Sequence, residues 1–281
     1  MEQVVHFLTT LSPARSFYHP RSLNKAAEFI KEEFEEHGLE TRLQSYVASK
    51  DKHQGTFHNV IGSYGEGDKM LVVGAHYDVC GDQPGADDNG SGIAGLMALS
   101  KMLSKNKPEL EYKLELVAYT LEEPPIFNTT EMGSYVHANS LKDKEIIGMI
   151  CLDMIGYFNQ KENSQDYPDP LMENIFPTKG NFIAIIGNTE SEKLAKSFSQ
   201  NMKNKCTIPV ETLVLPASFN IIDLSDHRNY WNKGFKAIMI TDTAFLRNKN
   251  YHLSTDTIET LDFKSMEEVL KGIYNAMLII K

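Results

Sequence analysis

The stretch that most constrains this chain is Met70-Leu71-Val72-Val73-Gly74-Ala75, a nearly unbroken apolar run. A strand with one solvated face alternates apolar and polar residues. An unbroken run predicts a central strand buried on both faces. Further strand-like runs fall at 41–48, 56–64, 114–121, 146–155, 182–186 and 236–241. Helical spacing joins Leu23, Ala27, Ile30 and Phe34, and Gly38 marks that helix's end. Another helix is expected over about 89–104, and a last one carries Met266, Val269, Leu270, Ile273, Met277 and Ile280 on one stripe. Strands alternating with helices predict the α/β class with a mostly parallel sheet. The 281 residues show no repeat and no low-complexity linker, so 1–281 reads as a single domain. Segment 159–180, polar and carrying Pro168, Pro170 and Pro177, reads as an irregular insertion within it.

Composition removes several function classes. Hydrophobic residues make up 41% and charged residues 23%, which excludes intrinsic disorder. No run of about 20 apolar residues exists to cross a membrane. Lys and Arg number 28 against 38 Asp and Glu, a net charge of −10 with no basic run. Such a chain lacks the clustered cations that phosphate contacts need, so no nucleic-acid or membrane partner is expected. Three cysteines form no disulfide framework and fit a reducing compartment. The N-terminal residues lack the basic segment and apolar core of a signal peptide, so a cytoplasmic location is expected; a leader trimmed earlier would mean a secreted or periplasmic one. Nothing in the pattern reports an oligomeric state.

In open α/β sheets ligands gather beyond the carboxyl ends of the strands. Four segments place unusual residues there. His76-Tyr77-Asp78 closes the central strand. A lone His at a strand end is ordinarily structural, but a carboxylate two residues on can hold one ring nitrogen while the other binds metal. Pro84-Gly85-Ala86-Asp87-Asp88-Asn89-Gly90-Ser91-Gly92 precedes a helix, where one Asp would serve as a cap. Two acids and three glycines exceed what capping needs. Glu122-Glu123 ends the apolar 114–121 run, where two carboxylates are costly to bury without cations. Asp153 stands inside the apolar stretch Cys151-Leu152-Asp153-Met154-Ile155. A fifth residue, His252, lies in a polar loop and by itself resembles any surface His. Two imidazoles with three or four carboxylates suit zinc in an open, catalytic site; no Cys spacing supports a structural one.

In this order and spacing the motifs are highly specific. The chain resembles the zinc aminopeptidases of peptidase family M28, the group that also includes glutamate carboxypeptidase. The resemblance runs from about Asn59 to Asp256 and rests on His76-x-Asp78, Gly85 to Gly92, Glu122-Glu123, Leu152-Asp153, Ser225-Asp226-His227 and His252. It implies a mixed, mostly parallel sheet of about eight strands between helices, of the zinc-exopeptidase, phosphorylase/hydrolase-like type. It implies two zinc ions: His76 and Asp153 on one, Glu123 and His252 on the other, and Asp88 bridging. Asp78 would orient His76, Glu122 would be the general base, Asp226 would line or support the site, and His227 would line the pocket or simply be packed. The partner would be a peptide with a free N-terminus. The chain departs from the family where Pro124 to Met132 follow the paired glutamates as an insertion, which leaves substrate preference open. Rival readings within the fold are a glutaminyl cyclase, which usually has Trp where Tyr251 stands, and a carboxypeptidase or dipeptidase, which would need a basic pocket. A binding protein that has lost its metals would lack ligands that are all present here. Cys80 enters none of these readings.

Overall fold

The computed structural model describes residues 1–280. Its eight strands, counted among the described residues, form one sheet in the order β1-β2-β4-β3-β5-β8-β6-β7. They are β1 (Glu40–Lys50), β2 (His53–Tyr64), β3 (Lys69–His76), β4 (Lys113–Tyr119), β5 (Glu145–Leu152), β6 (Ile183–Asn188), β7 (Val210–Leu215) and β8 (Ala237–Thr241). The central strands β4, β3, β5 and β8 run parallel. Antiparallel pairing is confined to β1 with β2, β2 with β4, and β6 with β8. The expected mixed, mostly parallel sheet of about eight strands is therefore present.

The apolar run of β3 has the predicted cause. Leu71, Val73 and Ala75 enter the larger core, while Met70 and Val72 enter the one on the opposite face. The larger core is closed by α1 (Glu2–Thr9), α2 (Pro20–Glu36), α3 (Gly92–Asn106), α5 (Glu192–Lys203) and α7 (Phe263–Ile279). The opposite face carries α4 (Gly133–Ser140) and α6 (His227–Trp231). In α2 the spaced residues Leu23, Ala27, Ile30 and Phe34 are all buried, and Gly38 adopts a left-handed φ of 77° beyond its end. Asp262 caps α7, its carboxylate accepting the Ser265 N–H at 3.0 Å.

Two boundaries differ from expectation in ways that matter for the site. The helix expected from 89 begins at Gly92, and residues 86–91 form an irregular turn with Asp88 and Asn89 out of helical geometry. Asn89 explains this: its side chain donates to the Leu152 carbonyl and accepts the Gly92 and Met154 N–H groups. The turn is thus tied to the end of β5. Asp153, expected inside a strand, lies just past β5, because Met154 turns the chain with a φ of 55°. Segment 159–180 has no strand, only a short helical turn at Pro170–Asn174.

Candidate metal centre and substrate cavity

The side chains with chemistry sit where β3, β4, β5 and β8 end together. His76 is the last residue of β3, and Asp88 follows in the turn before α3. Glu122 and Glu123 lie three and four residues past the end of β4, Asp153 one residue past β5, and His252 in the loop after β8. Leu121, Met154 and His252 all have positive φ, between 55° and 60°. Non-glycine residues rarely adopt this geometry, and here it turns each segment sharply at the cluster. Gly85 begins the turn at a φ of 60°; a Cβ there would fall 2.3 Å from the Asp88 carbonyl oxygen.

Asp88 stands at the middle. Its Oδ1 lies 3.4 Å from His76 Nε2 and its Oδ2 lies 3.1 Å from His252 Nε2. Asp153 Oδ1 is 3.7 Å from the same His76 nitrogen, and Glu123 Oε2 is 3.3 Å from the same His252 nitrogen. Glu122 Oε2 is 3.9 Å from His76 Nε2. On the far side of the ring, His76 Nδ1 is 3.3 Å from the Asp78 carbonyl and 3.5 Å from its carboxylate. Two acceptors fix the proton on Nδ1, which leaves the Nε2 lone pair facing Asp88 and Asp153. The Asp78 carboxylate also accepts the N–H groups of Glu122 and Glu123, both at 3.0 Å, so it fixes the glutamate pair as well as the ring.

Other supports have no role assigned from the sequence. Asp256 accepts the N–H of Asp87 at 3.0 Å and that of Asp88 at 3.0 Å, four residues after His252. Asp87 accepts the Gly156 N–H and the Asn248 amide. Buried Arg15 donates to the carbonyls of Tyr77, Pro84 and Gly85, clamping the base of the turn. Such roles come from long-range contacts; an isolated Arg or a loop Asp carries no periodic signal for them. Asp226 is buried, neither carboxylate oxygen has a hydrogen-bond partner among the described residues, and its charge is felt by Glu122. His227 is different. It is buried, its Nε2 lies 2.7 Å from the Ile222 carbonyl, its ring packs edge-on to Trp231, and it is not among the cavity-lining residues. Of the two places open to it, lining the pocket or packing, it takes the second, because the α6 turn directs it into packing.

The electrostatics are unbalanced. Burial pushes Glu122 well above the usual carboxylate range, with Glu123, Asp226 and Asp153 adding to the shift. Burial and Asp88 raise Glu123 to about 8. Burial opposes protonation of His252, yet Asp88, Cys80 and Glu123 raise it to about 12. Without cations, protons must supply the missing positive charge. Glu123 Oε1 and His252 Nε2 have no hydrogen-bond partner among the described residues. Imidazole and carboxylate donors so left over fit divalent metal ions.

The cluster opens into a cavity of about 550 Å³. Its walls include Phe176 from the 159–180 segment, Ile186 of β6, Leu213 of β7, Ile222, Phe245 and Tyr251. Acidic Asp169 and Glu211 also line it, and among the described residues no Lys or Arg does. Tyr251 stacks on His252 with ring centroids 3.8 Å apart.

The sequence profile of peptidase family M28 matches residues 59–277, most of the chain and every residue of the cluster. The chain belongs to peptidase family M28. An uncharacterised protein of Escherichia coli K12, YfbL, is 39% identical over 282 residues, covering 97% of this chain and 85% of that one. A probable leucine aminopeptidase of the fungus Trichophyton verrucosum is 25% identical, covering 91% of this chain and 66% of that one. Among solved structures, a glutaminyl cyclase of Bacteroides thetaiotaomicron superposes with a TM-score of 0.73 at 15% identity, covering 100% of this chain and 97% of that one. The M28 fold therefore does not by itself select the reaction, and the choice falls to the site.

Proposed function

We propose that this M28 chain is a zinc-dependent aminopeptidase with a two-ion centre. One observation carries the reading: the two oxygens of Asp88 face two different imidazoles, at 3.4 Å and 3.1 Å. A carboxylate so placed can bridge two cations. His76 and Asp153 would complete one position, and Glu123 and His252 the other. Bound there, zinc supplies Lewis acidity, which acidifies water and polarises a carbonyl.

The chain's own residues supply the rest. Glu122 lines the cavity outside the two ion positions and acts as general base. It takes the proton of the attacking water and returns it to the departing amine. Burial raises its proton affinity, which suits a group that must both accept and release. Asp78 holds the Glu122 N–H and so fixes the base relative to His76. The cavity walls exclude water and bind the side chain of the terminal residue.

The cavity also supports the choice of chain end. A carboxypeptidase must bind a terminal carboxylate, and among the described residues the cavity offers it no Lys or Arg. An α-ammonium group meets an acidic surface instead. The test is mass spectrometry of a mixed peptide library incubated with the zinc-loaded protein, with N-acetylated copies as controls. Stepwise loss of N-terminal residues, bulky apolar ones first, from free peptides only is the expected result. Trimming from the carboxyl end would overturn the reading. Ammonia loss from Gln-led peptides alone would replace it with a cyclase.

A further inference from the structure

Cys80 has no part in the mechanism above, yet its thiol lies at the metal centre. Its Sγ, a carboxylate oxygen of Glu123 and a ring nitrogen of His252 all lie within 4.8 Å of one another. The three arrive from separate loops, after β3, β4 and β8. Cys80 is a free, half-buried thiol. A second observation points to a ligand at the same place. Glu123 is 4% exposed and its Oε1 has no partner among the described residues. A buried carboxylate oxygen without a donor is costly, and a cation removes that cost.

We propose that Cys80 Sγ is a further protein ligand at the Glu123–His252 position, making that position softer than its neighbour. The inference rests on the two-position reading above. The His76–Asp153 position then has one nitrogen and carboxylate oxygens as donors. The Glu123–His252 position adds sulfur to the same set. Thiolate binds zinc, cobalt and cadmium well and magnesium or calcium poorly. The thiol proton leaves to solvent as the sulfur–metal bond forms, and no redox change is involved. The two positions should therefore differ in which metals they retain.

The test uses metal-free full-length protein titrated with cobalt(II). Bound cobalt is counted by plasma mass spectrometry while the near-ultraviolet spectrum is followed. A sulfur-to-cobalt charge-transfer band should grow in the wild type and in Cys206→Ser, and be lost in Cys80→Ser. Cobalt bound without that band would overturn the sulfur ligand and leave the metal centre standing. No cobalt uptake by the wild type would overturn both. A measurement on the unmutated chain guards against a folding defect in the variant. Alkylation mapped by peptide mass should reach Cys80 in the metal-free protein and be suppressed by zinc or cadmium, while Cys206 labels equally in both. Unchanged labelling of Cys80 on metal loading would overturn the proposal.

Discussion

Two buried histidine–carboxylate clusters lie against the same sheet, and they settle their charge in opposite ways. Around His137, Glu115 of β4 is 3.1 Å from His137 Nε2 and accepts from Arg42 at 3.0 Å. The other nitrogen of His137 lies 2.6 Å from the Tyr230 hydroxyl, which lies 2.7 Å from that of Tyr119. Burial raises the Glu115 carboxyl, but His137 and Arg42 outweigh it and hold it below the usual range. One acid, one guanidinium and one imidazole close on themselves. Around His76 stand Asp78, Asp88, Glu122, Glu123, Asp153 and Asp226, with His76 and His252 the only ion-pair partners among the described residues. The first cluster is complete as protein. The second is complete only with added positive charge, and that difference separates a structural network from a reactive one.

The sharpest way to break the comparison is Glu122→Gln. The substitution keeps shape and removes the base. Peptide hydrolysis should fall by roughly 10²–10⁴-fold, with zinc content and melting temperature held. Near wild-type turnover would sink the role of Glu122. The matching change in the closed network is Glu115→Ala. It leaves a buried ring nitrogen of His137 without its partner and frees the half-exposed Arg42, which costs about 1–3 kcal/mol for the buried group left unsatisfied. Urea unfolding should show that loss, while zinc stoichiometry stays unchanged. If zinc were lost instead, the two clusters would not be independent.

How much of this was legible beforehand differs by region. The central strand was, because Met70 to Ala75 must satisfy two cores and so cannot alternate. So were His76, Glu122, Glu123 and Asp153, because strand ends in a parallel sheet converge and those ends carry them, whereas Asp88 and His252 lie in a turn and a loop and were singled out by the family resemblance. β7 and α5 were not anticipated. The half-buried residues of β7 blur its alternation, whereas α5 carries a legible helical stripe, Leu194, Ala195, Phe198 and Met202, which the strand-centred reading passed over. The supports were the least legible part. Arg15, Asp87 and Asp256 act through backbone groups 62 to 169 positions away, and no local spacing encodes that. The closed network was equally hidden: Glu115 sits on an otherwise apolar strand, and its neutralising partners come from β1 and α4.

A third buried histidine gives the comparison its reference point. Among the described residues His227 has no carboxylate in contact, only the Ile222 carbonyl at 2.7 Å, so burial dominates and lowers its pKa to about 4. The folded state therefore holds His227 neutral over a range in which the unfolded chain, near 6.5, takes up a proton. A depressed histidine stabilises fully above pH 6.5 and loses that contribution as pH falls toward 4. The contribution is on the order of 3 kcal/mol, each pKa unit being worth about 1.4. His227→Gln removes the titration while an amide can still donate to the carbonyl. Urea unfolding of both proteins at several pH values should show the wild-type advantage shrinking between pH 6.5 and 4, with none of the change above pH 7. A constant difference across that window would mean that His227 is not held neutral by burial, and that the contrast among the three histidines lies in packing rather than charge.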